Sequence, residues 1–131
     1  MWWTENHPFT SSLSGQTAGE LTAAYSEATG KQPTQPIGFV HTLFEVAKDV
    51  LSRTSDVDDP AAIRDAIKAT NLDTVVGNIN WSTGPVPNVS KTPLVGGQWQ
   101  KGDQYPFELK ITTNSTGLDI PINGEVAEKS W

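Results

Sequence analysis

The stretch GFVHTLFEVAKDVLSR, residues 38 to 53, has the clearest helical periodicity in the chain. Its apolar residues form two neighbouring rows at helical spacing: Phe39, Leu43, Val46 and Val50, then Val40, Phe44, Ala47 and Leu51. The two rows predict an apolar stripe wider than ~100°, which suits a helix packed on a sheet or between two helices. The polar side is assigned to the remaining charged residues, Glu45, Lys48, Asp49 and Arg53.

We therefore expect this helix to be the most buried element of the fold. Leu43 and Val46 should have little exposed area. If they do, the substitution Leu43→Ala should cost ~2–5 kcal/mol of stability, the usual range for a truncated core leucine.

Two further helices are predicted in the first half of the chain. Thr17 and Glu20 have the spacing of a capping box, and Gly30 is a natural residue just past a helix end. Asp59 followed by Pro60 is a favourable helix start, and Asn71 is a plausible terminator of that helix. Three helices are thus expected within residues 1–71.

The second half of the chain has strand character. Residues 73–81 have strand propensity interrupted by Gly77, which indicates a bend or bulge. Residues 94–100 and the alternating residues 105–113 predict a β-hairpin that turns at residues 101–103. The predicted class is α+β, a single unit over residues 1–131 with a mainly helical part (1–71) and a strand and loop part (72–131).

Composition restricts the function classes. The chain has 131 residues, a formal net charge of −6 and no cysteine. This charge argues against nucleic-acid binding, which normally uses a basic surface. The missing cysteines exclude disulfides and thiolate metal sites.

Catalytic and metal-binding signatures are not found in the sequence. His7 and His41 are far apart, and the acidic cluster at residues 56–59 lacks the glycine and glutamate of a calcium loop. A solvated loop with a helix cap explains that cluster. We therefore expect no enzyme activity, no metal and no cofactor.

The aromatic residues leave two interpretations open. The chain has five tryptophans, and Trp2, Trp3, Trp81 and Trp99 lie on or beside predicted strands. They either pack in the core or at sheet edges, or form a stacking surface for a small ligand or sugar. His41, in the first turn of the central helix, is either a partly buried polar residue or a residue facing a ligand cleft.

Three motifs carry a resemblance to a known family. They are Gly38-Phe39 at the start of the central helix, DPAAIRDAI at residues 59–67 followed by LDTVVG at 72–77, and KTPLVGGQW at 91–99. In this order the motifs resemble the C-terminal part of the periplasmic solute-binding proteins of branched-chain amino acid ABC transporters. The resemblance covers residues 2 to about 107.

The resemblance implies a piece of a type I periplasmic-binding-protein fold, an α/β fold of which this chain would supply the C-terminal part. It implies a ligand held between lobes, with Gln35, Phe39 and His41 facing the cleft and Trp2 and Trp3 at a hinge strand. It also implies a periplasmic location, a transporter permease as partner, and a branched-chain amino acid or related small organic solute as ligand.

Family members are much longer than 131 residues, so we expect a fragment whose missing partners leave apolar surface uncovered. A homodimer would cover that surface. The alternative is a free-standing small carbohydrate- or partner-binding domain that uses its surface tryptophans.

Overall fold

A computed structural model describes residues 1–128, so the end of the predicted strand and loop part, residues 129–131, lies outside the described residues. The elements in chain order are α1 (Ala18–Thr29), α2 (Pro36–Arg53), α3 (Pro60–Lys68), β1 (Asn71–Thr74), β2 (Gly77–Asn80), β3 (Gly96–Lys101) and β4 (Phe107–Thr113). The mixed α+β class and the three helices in the first half are confirmed.

Local capping determines where the helices begin and end. Thr17 and Glu20 form the predicted capping box at the start of α1, and Gly30 ends that helix in the left-handed conformation with φ 66°. The side chain of Asp59 accepts a hydrogen bond from the Ala61 amide at the start of α3. The prediction that Asn71 terminates the third helix is wrong, because α3 ends at Lys68 and Asn71 is already the first residue of β1.

The strands form two separate antiparallel hairpins within the described residues. In the first, β1 pairs with β2 through a tight turn at Val75 and Val76, and Gly77 follows with φ 110°. The break predicted at Gly77 is therefore the end of a hairpin turn, since this φ favours glycine. In the second, β3 pairs with β4 as the sequence predicts, with an irregularity between Gly96 and Gly97. The strand expected at Trp2 and Trp3 is reduced to one bridge between Trp2 and Val95.

The first hydrophobic core lies between α1, α2 and the first hairpin. Its buried members are Trp3, Ala18, Val75, Val76 and Ile79. Trp3 is 1% exposed, and its indole N–H donates to the Val75 carbonyl at 2.9 Å. The N-terminal segment is therefore fixed to the first hairpin by both packing and a buried hydrogen bond.

The second core lies beneath the β3–β4 hairpin and consists of Val95, Ile111 and Ile120, with Trp2 and Leu118 packed against it. The polypeptide after β4 returns along this hairpin. The amides of Asn123 and Gly124 both donate to the Ile111 carbonyl, while the Ile111 amide donates to the Asn123 side chain. These bonds hold the returning segment against β4.

The burial predicted for α2 is wrong. Leu43 is 69% exposed and Phe44 is 64% exposed, whereas the buried positions of the helix are Gly38, Thr42, Glu45 and Val50. Val46 is only half-buried, packed against the first core. The side chain assigned to the polar side, Glu45, is 1% exposed. The helix is rotated from the expected orientation because Trp3 packs against its glycine and the first hairpin is bonded to its glutamate.

Within residues 1–128, none of the three helices combines the length and the apolar composition needed to cross a bilayer.

Candidate ligand-binding cleft

A cleft of about 390 Å³ opens between the N-terminal segment, the α1–α2 connection and the β3–β4 hairpin. This volume falls within the ~300–1,000 Å³ typical of small-molecule sites. Trp2 and Trp3 point to the two cores on either side, so the cleft lies where the two halves of the molecule meet. A site between two packed units is a common position for a ligand pocket.

Aromatic side chains form part of the cleft wall. Trp2 and Trp99 are in an edge-to-face arrangement, with ring centroids 5.5 Å apart and an interplanar angle of 88°. Trp99 is 38% exposed, and the half-buried Tyr105 lies in the same lining. The cleft therefore presents amphipathic rings, each with an apolar face and a polar N–H or O–H group.

The only ion pair in the described lining joins Lys110 and Glu108, with Nζ and Oε2 3.1 Å apart. The other Glu108 oxygen accepts from the Gln104 and Tyr105 amides at 2.9 and 3.3 Å. The Lys110 hydrogen bond, followed by these amide bonds, lowers the pKa of Glu108. The lysine charge is therefore neutralised by a carboxylate that is itself held by the backbone.

The α1–α2 connection is bound to the hairpin across the cleft. Gln32 donates through Nε2 to the Phe107 carbonyl at 2.9 Å, and Pro33, Thr34 and Gln35 continue the same wall. On the opposite side, the Thr22 hydroxyl lies 3.4 Å from the Glu5 carboxylate. The polar part of the lining is thus dominated by amide, hydroxyl and carboxylate groups.

The structure brings three of the five predicted site residues together. Trp2, Trp3 and Gln35 all line the cleft. Phe39 and His41 are not in its lining: Phe39 packs against the first core. His41 lies beside Ser11 in the loop before α1 instead.

His41 is hydrogen-bonded within the structure. Its Nε2 atom and the Ser11 hydroxyl oxygen lie 2.6 Å apart. The same Ser11 oxygen accepts from the Leu13 and Ser14 amides at 3.0 and 3.1 Å, and Ser11 is 4% exposed. Because these bonds occupy the donor and both acceptor positions of the hydroxyl, the pair fixes the loop before α1. His41 is half-buried and lies outside the cleft lining.

Glu45 joins the same loop to the first hairpin. One carboxylate oxygen accepts from the Ser12 amide and hydroxyl at 2.6 and 3.0 Å, and the other from the Thr42 hydroxyl and the Val75 amide, each at 3.2 Å. Four donors thus compensate a buried carboxylate that would otherwise be costly to remove from water. Both backbone polar groups of Val75 are therefore hydrogen-bonded: its amide donates to Glu45, and its carbonyl accepts from the Trp3 indole.

His7 is the more deeply buried of the two imidazoles. It is 3% exposed, its Nδ1 accepts from the Thr4 amide at 3.0 Å, and its Nε2 lies 3.1 Å from the Pro93 carbonyl. Burial lowers the pKa of His7, and the carbonyl bonds to Pro93 and Thr4 only partly oppose this effect. The neutral ring therefore connects the N-terminal segment to the residues before β3.

Sequence reasoning did not identify the hairpin side of the cleft. Trp99, Tyr105, Glu108 and Lys110 all lie there. The density of tryptophans was the available signal, and it pointed to Trp99 only as one of several candidates. Among residues 1–128 there is no cluster of three or more histidine and acidic residues arranged to hold a metal ion.

Comparisons with protein-family models, with curated proteins and with solved structures give no match to this chain. The fold and the cleft geometry are therefore the basis for assigning a function.

Proposed function

We propose that the chain is a ligand-binding module of an ABC importer for a small organic solute. It would be the substrate-binding component of that importer, or a part of it. The cleft is the observation that carries this proposal, because it has the volume of a solute site and contains Trp2, Trp3 and Gln35. The motif order described above supports the type I periplasmic-binding-protein family. The ligand in this proposal is a small organic solute, and the branched-chain amino acids of the resembled family are one candidate class. A permease partner and a periplasmic location belong to the same proposal.

The cleft is suited to binding because its walls are already held in place. Gln32 connects one wall to the hairpin, and Glu108 orders the β3–β4 turn through two backbone amides. Trp3, which also lines the cleft, is anchored by its hydrogen bond to the Val75 carbonyl. A preorganised site loses less conformational entropy when a ligand binds.

The exposed face of α2 supports a homodimer. Val40, Phe44, Ala47 and Leu51 are all exposed and recur at steps of four, three and four, the spacing of a coiled-coil seam. In an antiparallel two-fold arrangement, Phe44 would face the partner's Ala47 and Val40 would face the partner's Leu51. Each large side chain would thus meet a smaller or complementary one, so a second copy of this chain suits the surface.

Solute binding is tested by calorimetric titration of the full chain with a panel of amino acids, neutral sugars and carboxylic acids. We expect at least one panel member to bind with one site per chain. The variant Gln35→Ala should weaken that binding, while Leu43→Ala, which changes an exposed residue outside the cleft lining, should not. Failure of the whole panel to bind would overturn the proposal.

A further inference from the structure

Three features of the cleft together restrict its ligand: the charges in its lining, the state of the adjacent helix terminus, and the polar groups that remain free. The inference from them rests on the proposed function, because it concerns the same cleft. It goes further by selecting one chemical class of solute.

The charges disfavour an anionic group. Lys110 is the only cation in the described lining, and it is paired with Glu108 at 3.1 Å. Glu5 adds a second carboxylate that has no cationic partner in the described residues. A ligand carboxylate or phosphate would therefore have to displace Glu108 from Lys110 and would meet two acidic side chains.

The start of α2 does not compensate for the missing cation. Thr34 and Gln35 place this helix terminus at the cleft, where free backbone amides could in principle bind an anion. However, Pro36 has no N–H, and the Ile37 amide already donates to the Thr34 carbonyl at 3.1 Å. Gly38 lies beneath the Trp3 ring. The first helical positions are thus largely unavailable to a ligand.

The remaining polar groups match hydroxyls. Among residues 1–128, the side chains of Gln35, Gln104 and Tyr105 make no hydrogen bond to another protein group, and all three line the cleft. Amides and a phenol both donate and accept, as a hydroxyl-bearing ligand requires. The partly exposed Trp99 ring can cover the C–H face of a saturated ring, since its own face is apolar and electron-rich.

We infer that the cleft binds a neutral, polyhydroxylated ring, a monosaccharide or short oligosaccharide, in preference to an amino acid. The C–H face of the sugar lies against Trp99, beside Trp2. Its hydroxyls hydrogen-bond with Gln35, Gln104 and Tyr105. The Lys110–Glu108 pair remains intact.

The test is a competition between ligand classes on the full chain, measured by calorimetry with glucose, xylose and maltose in one arm and leucine, glutamate and glycerol phosphate in the other. We expect a neutral sugar to bind at least tenfold more tightly than any member of the second arm. Trp99→Ala should weaken sugar binding at least tenfold. The control Val86→Ala, which truncates an exposed apolar residue outside both the cleft lining and α2, should leave it unchanged.

Gln104→Ala provides a second variant in case Trp99→Ala disturbs the hairpin, because Gln104 is exposed and uses only its backbone amide to bind Glu108. It should weaken sugar binding while preserving the melting temperature. Leucine or an anion binding more tightly than every sugar would overturn this inference and leave the proposed function standing. Sugar binding that survives both cleft substitutions would also overturn it, whereas a chain that binds no member of either arm refutes the proposed function itself.

Discussion

The Trp3 indole lies directly on the backbone of Gly38, so closely that a Cβ atom added to Gly38 would stand 2.6 Å from Trp3 Cδ2 and Cε2. The ring is also fixed from the other side by its hydrogen bond to Val75. Because Trp3 is 1% exposed and cannot move outward without losing that bond, α2 must present a glycine at this position.

Gly38→Ala should destabilise the protein by about 1–3 kcal/mol, the usual cost of overpacking a well-packed core. Chemical denaturation monitored by tryptophan fluorescence measures the change. Gly19→Ala is the matched control: the nearest atom to its added Cβ is the Glu5 carbonyl oxygen, at an ordinary 3.6 Å. That control should be stabilising by up to about 1 kcal/mol, since alanine favours a helix. Equal effects of the two substitutions would contradict the packing described here.

Glu45→Ala should be among the most damaging single substitutions in the chain. It leaves the buried Val75 amide without its acceptor, and an unsatisfied buried donor costs about 1–3 kcal/mol. It also removes the bonds to Ser12, which water can partly replace because Ser12 is exposed. Glu45→Gln keeps one acceptor oxygen but turns an NH₂ group toward other donors, so an intermediate loss is expected. Urea denaturation measures the free energies of unfolding of the parent and the two variants. A Glu45→Ala variant as stable as the parent would exclude the hydrogen bonds of Glu45 as a source of stability.

Stability should fall as the pH is lowered through the region of histidine titration. Burial lowers the pKa of folded His7 below its ordinary value of 6.5, so the unfolded chain binds more protons below that pH. The contribution of neutral His7 is therefore complete above pH 6.5 and decreases as the pH falls toward the lowered pKa. Denaturation series between pH 8 and 5 measure the slope.

His7→Gln is the control for this pH dependence. Its side-chain amide can still donate toward the Pro93 carbonyl but does not titrate. We expect the free energy of unfolding of this variant to vary less between pH 8 and 5 than that of the parent. The pKa values of Glu20 and Glu108 are lowered by hydrogen bonds from an ordinary value of 4.5. Their contribution to stability is therefore lost mainly below about pH 5, and they affect only the lowest part of this range. If the free energy of unfolding of the His7→Gln variant depends on pH as steeply as that of the parent, another titrating group causes the pH dependence.

Leu43→Ala should change the stability of the monomer by no more than ~0.5 kcal/mol, because surface substitutions usually have effects of this size. The sequence-based expectation was several times larger, and the difference follows from the 69% exposure of Leu43. Thermal unfolding at low protein concentration, where a dimer is dissociated, measures this value. A loss above about 2 kcal/mol under those conditions would indicate that Leu43 is buried in the monomer.

The proposed homodimer should dissociate when a charge is placed on the exposed face of α2. Phe44→Glu should shift sedimentation equilibrium toward the monomer over a micromolar dilution series, since a carboxylate at the seam would be desolvated in the dimer. Val86→Glu adds the same charge at a residue that is 56% exposed and lies outside α2, so it should leave the association unchanged. A parent chain that is monomeric throughout the series would overturn the dimer proposal.

The amino-acid sequence by itself determined the elements of this protein. The capping residues Thr17 and Asp59 mark the starts of two helices. The alternation in residues 105–113 indicates the second hairpin, whose strand β4 spans Phe107–Thr113. These features are predictable because they arise from interactions between residues only a few positions apart, or from a repeating pattern along one element.

Only the tertiary structure decided which face of α2 is buried and where the cleft lies. The two apolar rows of that helix are equivalent in the sequence, and the choice depends on Trp3 packing against Gly38 and on the Val75 amide reaching Glu45. The cleft likewise joins Trp2, Gln35 and Trp99, which are distant in the chain. Periodicity describes how residues are arranged around a helix axis, but the buried face is selected by contacts and hydrogen bonds from segments that the local pattern does not contain.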